Sequence, residues 1–300
     1  MLNPTALVAP STHPAAIWPH DDTWVLNTTH RVAPGTHPHR GRPLMAVERP
    51  RLTARSVLAS TLLGVSPPVL PTRVLVATAE LLGVKPGAAR VALSRMAAAG
   101  EVDATDDGYR LIGRLATRQA RQDLSRHGPP AEWDGTWSTH VVTGEARPAG
   151  ERADLRAALG ALRHAELREG VWLRPANLPD GILPDAERLV STSTTHLSST
   201  VNEPGDLAAR LWDLDGWARR GDRLHDALED IRPALEDGDH EVLADAFLLL
   251  AGVLRHLQAD PLLPLQLRPD GWPGNPLRTA HGLADGAFKR TLANWQRARR

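Results

Sequence analysis

Residues 87–113 read GAARVALSRMAAAGEVDATDDGYRLIG. Ala89, Ala92, Leu93 and Met96 recur at i, i+3, i+4 and i+7, the spacing of one buried helical stripe. Pro86 suits the first turn of that helix, and Gly100 suits its end. Residues 101–105 and 109–113 then alternate about the turn Asp106-Asp107-Gly108, which reads as a β-hairpin. A small, alanine-rich helix with outward arginines directly before a hairpin fits an element that enters a DNA groove with the hairpin beside it. The same pattern also fits a compact packing unit and nothing more.

Two helices are expected upstream. Leu52, Ser56, Ala59, Leu62 and Leu63 form one helical face, stopped by Gly64 and the Pro67-Pro68 pair. Thr72 is placed to cap a second helix running from Arg73 to Leu82 and ending at Gly83. Three helices followed by a hairpin is the winged helix-turn-helix plan. On this reading the third helix turns Lys85, Gly87, Ala88, Arg90, Val91 and Ser94 outward, with Arg95 at the edge. Arg90 can offer a bidentate fork to guanine or phosphate, while Ala88 and Val91 can contact thymine methyls. Thr72 and Arg73 open a helix whose first N–H groups favour a phosphate. Arg110 and Arg114, on and just after the hairpin, are further phosphate candidates.

The charge distribution agrees. The chain has 300 residues with 35 Lys+Arg against 35 Asp+Glu, yet residues 51–126 carry eleven basic and six acidic side chains. A basic front joined to an acidic rear raises the question of nucleic acid. Only Lys85 and Lys289 are lysines, so the arginine excess reflects composition rather than a dedicated site. There is no cysteine, which removes disulfides, thiolate metal sites and thiol nucleophiles together. The longest apolar run, residues 246–254, is far short of the roughly 20 residues that a bilayer crossing needs. No apolar signal core opens the chain. A cytoplasmic protein is expected.

Residues 1–45 are rich in Pro, His and Thr without sustained periodicity, and are expected to be a disordered extension. His13, His20, His30, His37 and His39 share no helical spacing, so no metal is expected there. Residues 46–126 are expected to be the winged-helix domain. After an amphipathic run from Leu115, residues 125–135 read as a linker. Residues 127–205 follow with a strand at 136–144, a helix at 154–165, and strands at 170–176 and 188–196. That order, with a further helix to come, suggests a ferredoxin-like unit. Trp133, Trp137 and Trp172 are expected in its core and edges. Residues 206–300 are expected to form a helical C-terminal domain for effector binding and dimerisation. Its two periodic stripes cover 207–231 and 241–258. Residues 260–274 contain four prolines and read as a strap over the surface. The acidic loop 236–241 lacks the ligand order of a calcium site. The expected fold class is therefore α+β and multidomain.

Several stretches together resemble the PaaX-type transcriptional repressors, which control phenylacetate catabolism in bacteria. They are residues 90–96 (RVALSRM) after Val84, 133–137 (WDGTW), 170–175 (GVWLRP) and 212–220 (WDLDGWARR). Residues 260–264 (DPLLP), followed by 269–274 (PDGWPG), are the most specific. The resemblance runs from about Arg51 to the end, with the pieces in the family's order. It implies a homodimer bound to an inverted-repeat operator and released by a small-molecule effector such as an aryl-CoA thioester. The chain departs from the family at Gly221, where tyrosine is usual, and at Pro86-Gly87, where longer polar residues are common. An anionic effector needs a cation, and Arg174 beside Trp172 is a candidate, with an ordinary surface role as its competitor.

The middle region also resembles small CRISPR-associated nucleases, which hold a metal through a carboxylate ending their first strand. Here that strand ends Thr139-His-Val-Val-Thr-Gly, and Glu145 comes only after it. No lysine-bearing phosphate loop, HExxH or G-x-S-x-G occurs. Neither an enzyme nor a cofactor is expected. A ligand-responsive DNA-binding repressor is the leading reading, and a winged-helix scaffold for protein contacts is the alternative.

Overall fold

The computed structural model describes residues 53–65, 67–128, 132–144 and 147–298, with the side chains of Arg114 and Thr117 also left aside. The histidines of residues 1–45, Leu52 and Glu145 lie outside the described residues. Helix α1 (Ala54–Leu63) opens on a capping box: the Thr53 hydroxyl accepts from the Ser56 N–H at 3.1 Å, and Ser56 answers toward the Thr53 N–H. Ser56 is thus a capping residue rather than part of the core face, which consists of Val57, Leu58, Ala59, Leu62 and Leu63. Strand β1 (Val69–Leu70) follows the proline pair. Helix α2 (Thr72–Leu81) starts after Pro71, and no side chain caps it. Thr72 therefore occupies the first helical position, not the cap, because Pro71 sits where the cap would be. Helix α3 (Pro86–Ala98) has Pro86 at its first turn and buries Ala89, Leu93 and Met96.

Strands β2 (Val102–Thr105) and β3 (Gly108–Leu111) pair antiparallel across a two-residue turn, and β1 adds to the far edge of β3. β1 was invisible in the sequence because two residues behind a proline pair carry no period. Gly108 is obligatory here. Its φ is +132°, and an added Cβ would lie 2.1 Å from the Leu70 carbonyl oxygen and 2.7 Å from Pro71 Cα. Gly108→Ala is expected to lower stability by about 1–3 kcal/mol through this backbone clash. An unchanged thermal unfolding midpoint would show that the hairpin does not depend on β1.

Helix α4 (Gly113–His127) continues two residues past the start of the expected linker, and Ser125 within it is fully buried. It is tied to the end of α1: Gln119 Nε2 donates to the Val65 carbonyl at 2.9 Å and Arg126 to that of Leu63 at 3.2 Å.

The middle region runs β4 (Trp137–Val142), α5 (Ala149–Ala161), β5 (Ala165–Arg168), β6 (Val171–Pro175), α6 (Pro184–Ser193) and β7 (Thr194–Ser199). Its sheet order is β5-β6-β4-β7, antiparallel throughout. Two sequence expectations need correction. Residues 188–193 are helical, and the strand begins only at Thr194. The β-branched content of 188–196 favoured a strand, but Ala186, Leu189 and Val190 have helical spacing and pack against Leu155, Leu159 and Trp172. Glu187 secures the start of α6 by accepting from the N–H groups of Gly181 (2.8 Å) and Leu183 (3.1 Å). The second correction is the helix expected over 154–165, which ends at Ala161 and gives way to β5 at Ala165, a strand the sequence reading did not foresee. The α5 helix stops because Arg163 adopts a left-handed φ of 66°.

Helices α7 (Pro204–Leu211), α8 (Leu214–Glu236), α9 (Leu243–Gln258) and α10 (Gly274–Ala298) complete the chain. The stripe expected over 207–231 is broken at Trp212-Asp213, where Asp213 Oδ1 accepts from the Gly216 N–H at 2.9 Å and starts α8 anew. α7 packs with Leu263 and Leu267 against Trp137 and Leu173 of the middle sheet. α8, α9 and α10 share a separate core of leucines, alanines and Phe247 and Phe288. Leu81 and Leu82, at the end of α2, pack against that same core.

The proline-rich segment 260–274 is not a surface strap. Asp260, Leu262, Leu263 and Leu267 are buried, and Trp272 stacks on Trp217 at 4.4 Å. Gly221 makes this approach possible, since a Cβ there would sit 2.9 Å from Pro273 Cγ. Prolines keep the segment from forming helix, but its leucines still demand burial, so it threads between the sheet and the C-terminal helices.

Candidate nucleic-acid interface

The α3 helix buries one side and leaves the other open. Lys85, just before it, and Gly87, Ala88, Arg90, Val91, Ser94 and Arg95 are all exposed; Val91 retains 51% of its surface. An exposed valine next to Ala88 and Gly87 is a surface without bulk, which a duplex groove can approach closely. Thr72 and Arg73 are exposed at the start of α2. The side chains of Arg73, Lys85, Arg90 and Arg95 form no hydrogen bond or ion pair among the described residues. Four cations thus stand unneutralised on adjacent parts of one unit, where an external anion can meet them.

The hairpin differs. Arg110 Nη2 lies 2.9 Å from Asp103 Oδ2, with both side chains about half exposed. Asp106 and Asp107 occupy the exposed tip. The hairpin tip is therefore acidic, and Arg110 is already engaged. Sequence reading counted the arginine without its cross-strand neighbour; the register Asp103↔Arg110 supplies the pairing. Arg114 lies at the start of α4, and its side chain is outside the description.

The second candidate site looks different from its sequence. Trp172 and Arg174 share one face of β6, and both are buried, at 9% and 8% exposure. Trp172 packs under α5 and α6, with the Arg156 guanidinium 5.9 Å from its ring. Arg174 donates to the Pro175 carbonyl at 3.0 Å, and its Nε has no hydrogen-bond partner among the described residues. Burial pulls its pKa down to about 10, opposed by the charges of Asp180 and Glu187. Arg174 is thus neither an ordinary surface residue nor an open ligand contact, because β6 is an inner strand with helices over this face.

Sequence reading missed what surrounds it. Strand register aligns Ser138 with Arg174 and His140 with both Trp172 and His196. The His140 ring lies 4.7 Å from that of His164 and 4.8 Å from that of His196. Ser138 Oγ sits 3.3 Å from His164 Nε2 and 3.1 Å from His196 Nε2. Burial, then the charge of Arg174, holds His164 well below the usual imidazole range; burial, His196 and Arg174 push His140 to about 4. His140 and His164 are therefore neutral imidazoles at neutral pH. Their sequence spacing has no helical or strand period, so only the register could have revealed them.

A third polar cluster joins all three parts of the chain. Arg278 of α10 meets Asp260 at 2.6 Å, with both side chains buried, and also donates from Nε to the Ser125 carbonyl of α4 at 2.8 Å. Arg163 donates to Ser125 Oγ at 2.7 Å and to the Gln258 carbonyl. Asp260 Oδ1 accepts from the Leu262 N–H at 2.8 Å, and Asn177 donates to the Leu262 carbonyl at 2.8 Å. Arg163 and Leu262 are the two non-glycine residues with positive φ among the described residues. Backbone strain of this kind costs on the order of 1–3 kcal/mol and persists where surroundings over-determine it.

Among the described residues, no group of three or more His, Cys, Asp or Glu is arranged to hold a metal ion, and no helix is long and apolar enough to cross a membrane. Strand β4, from Trp137 to Val142, carries no carboxylate.

Comparison with known proteins gives three findings. Residues 53–118 match a family described as PaaX-like protein, and residues 130–210 match one described as PaaX protein central Cas2-like domain. Among solved structures, the uncharacterized protein Rv0674 from Mycobacterium tuberculosis is 38% identical, covering 81% of this chain and 98% of that one, with a TM-score of 0.61. No curated protein matches the chain.

Proposed function

The chain belongs to the PaaX family, and from that premise we propose that it is a DNA-binding, ligand-responsive transcriptional regulator, a repressor of a catabolic operon. Residues 46–126 act as a winged helix-turn-helix, 127–205 as a ferredoxin-like unit, and 206–300 as the effector and dimerisation part. The protein works as a homodimer on an inverted repeat and leaves it when a small-molecule effector, such as an aryl-CoA thioester, binds. The observation that carries this reading is the outward side of α3, where cations without side-chain partners among the described residues flank a surface of Gly, Ala, Val and Ser.

The division of labour follows from charge. Arg90 and Arg95 lie on the reading helix, with Ala88, Val91 and Ser94 against base edges. Arg73 and Lys85 flank it and suit phosphates; Thr72 opens α2 beside Arg73. The acidic tip and the Asp103–Arg110 pair favour a hairpin that lies beside the duplex rather than gripping it, so Arg110 and Arg114 are secondary contacts.

Gel shift and anisotropy against the DNA upstream of the chain's own gene test the proposal. Arg90→Ala should cost about 1–3 kcal/mol on the preferred fragment and relax one operator position. Arg73→Ala should weaken all sequences alike and flatten the log-affinity salt slope by about one unit. Equal affinity of Arg90→Ala and wild type for the preferred fragment would remove α3 as the reading helix.

A further inference from the structure

Arg163, just past α5, is 7% exposed and forms no ion pair among the described residues. Two of its three nitrogens are engaged: Nη2 donates to Ser125 Oγ at 2.7 Å, and Nη1 donates to the Gln258 carbonyl. Its Nε is buried and has no hydrogen-bond partner among the described residues. Gln258 shows the same gap, since its side-chain Nε2 is buried without a partner. Both open atoms are donors.

The charge around them is also unbalanced. Of the charges that act on Arg163, Asp260 is the one of opposite sign, while Arg121 and Arg278 oppose it. Both oxygens of Asp260 are already engaged, Oδ2 by Arg278 at 2.6 Å and Oδ1 by the Leu262 N–H at 2.8 Å. The half-buried Arg268 faces Asp260 and Arg278 as well. With a pKa of about 10, Arg163 stays charged at neutral pH. Two enclosed guanidinium groups, Arg163 and Arg278, thus share a single carboxylate. A buried charge without a counter-charge is costly, and so is a buried donor without an acceptor.

We propose that a small monovalent anion, of chloride size, sits beside Arg163 as a structural ion, accepting from Arg163 Nε and Gln258 Nε2. One ion answers both deficits, because it supplies the missing acceptor and the missing negative charge. A water molecule answers only the first. Enclosure sets the size: with Arg163 and Asp260 7% and 2% exposed, little surface is left for a phosphate or an organic acid to reach.

The position joins all three parts of the chain. Gln258 ends α9, Arg163 lies in the middle region, and Ser125 of α4, bonded to Arg163, belongs to the N-terminal unit. The ion also sits where the backbone of Arg163 is held at a φ of 66°. Bound to the folded chain alone, it stabilises that chain by mass action.

Thermal unfolding of the full chain in chloride and in gluconate, at one ionic strength, tests the site. The midpoint should be higher in chloride by about 2 °C or more and should level off as chloride rises, because gluconate is too large to enter. Arg163→Met should abolish the difference. Diffraction from wild-type crystals soaked in bromide gives a second readout that does not depend on the variant folding. An anomalous peak within hydrogen-bond reach of Arg163 Nε is expected. Equal midpoints in the two salts overturn the proposal, and a bromide peak beside equal midpoints means an adventitious ion only. The absence of a peak at Arg163, or a chloride effect undiminished in folded Arg163→Met, overturns it too.

Discussion

Asp260→Ala is expected to destabilise the protein by about 3–5 kcal/mol, the cost of leaving a buried charge without its partner. Asp260 is 2% exposed and Arg278 8% at the side chain, so solvent cannot replace the lost carboxylate. Arg163 shares the same environment: burial draws its pKa down to about 10, and Asp260 is the group that opposes the drop. Removing one anion therefore strands two guanidinium groups. The same carboxylate orders the Leu262 N–H, where the chain is held at a φ of 54°. Urea unfolding measures the loss. Arg278→Met should cost less in the Asp260→Ala background than in wild type, since the pair is already broken. Additive losses would show that the two residues stabilise the fold independently and that no hub joins the three units there.

Acidification should destabilise the protein well before its carboxylates titrate. Burial pushes His256 and His281 down to about 4, and His140 to about the same value, while His164 lies well below its usual range. The charges facing them differ: Arg220 holds His256 down while Asp260 raises it, and Asp285 opposes Arg126 and Lys289 at His281. In the unfolded chain these imidazoles take up protons near pH 6.5, which folded His140, His256 and His281 refuse until about pH 4 and folded His164 also resists. Their contribution is thus complete above about pH 6.5 and is lost as pH falls toward 4. By pH 5, His256 and His281 should each have withdrawn on the order of 1–2 kcal/mol. Urea midpoints at pH 7 and pH 5 measure this directly. A midpoint independent of pH over that range would mean that the buried histidines are not held neutral.

The three helices and the hairpin of the first unit were legible, while Ser56, Thr72 and strand β1 were not. Of the expected α3 stripe, Ala89, Leu93 and Met96 are buried and Ala92 is half-buried, and every side chain expected outward on that helix is exposed. Local periodicity decides these positions because each helical face must choose between core and water within a few residues. The errors lie where that choice is not local. Residues 188–193 carry β-branched side chains, yet they fold as helix because Ala186, Leu189 and Val190 find a core under α5. The segment 260–274 has no period at all, and its burial depends on leucines meeting a sheet and a bundle remote in sequence.

Amino-acid order alone therefore determined the helix that faces outward, the hairpin after it and the family resemblance, since these rest on spacing and short motifs. Tertiary structure alone decided that Arg110 is paired, that Arg174 is enclosed beside three histidines, and that Ser125, Arg163, Asp260 and Arg278 join three parts of the chain in one cluster. The physical reason is that charge is settled by distance in space. Ser125, Arg163, Asp260 and Arg278 have no spacing in common, and they meet only because the packed elements bring them to one buried place.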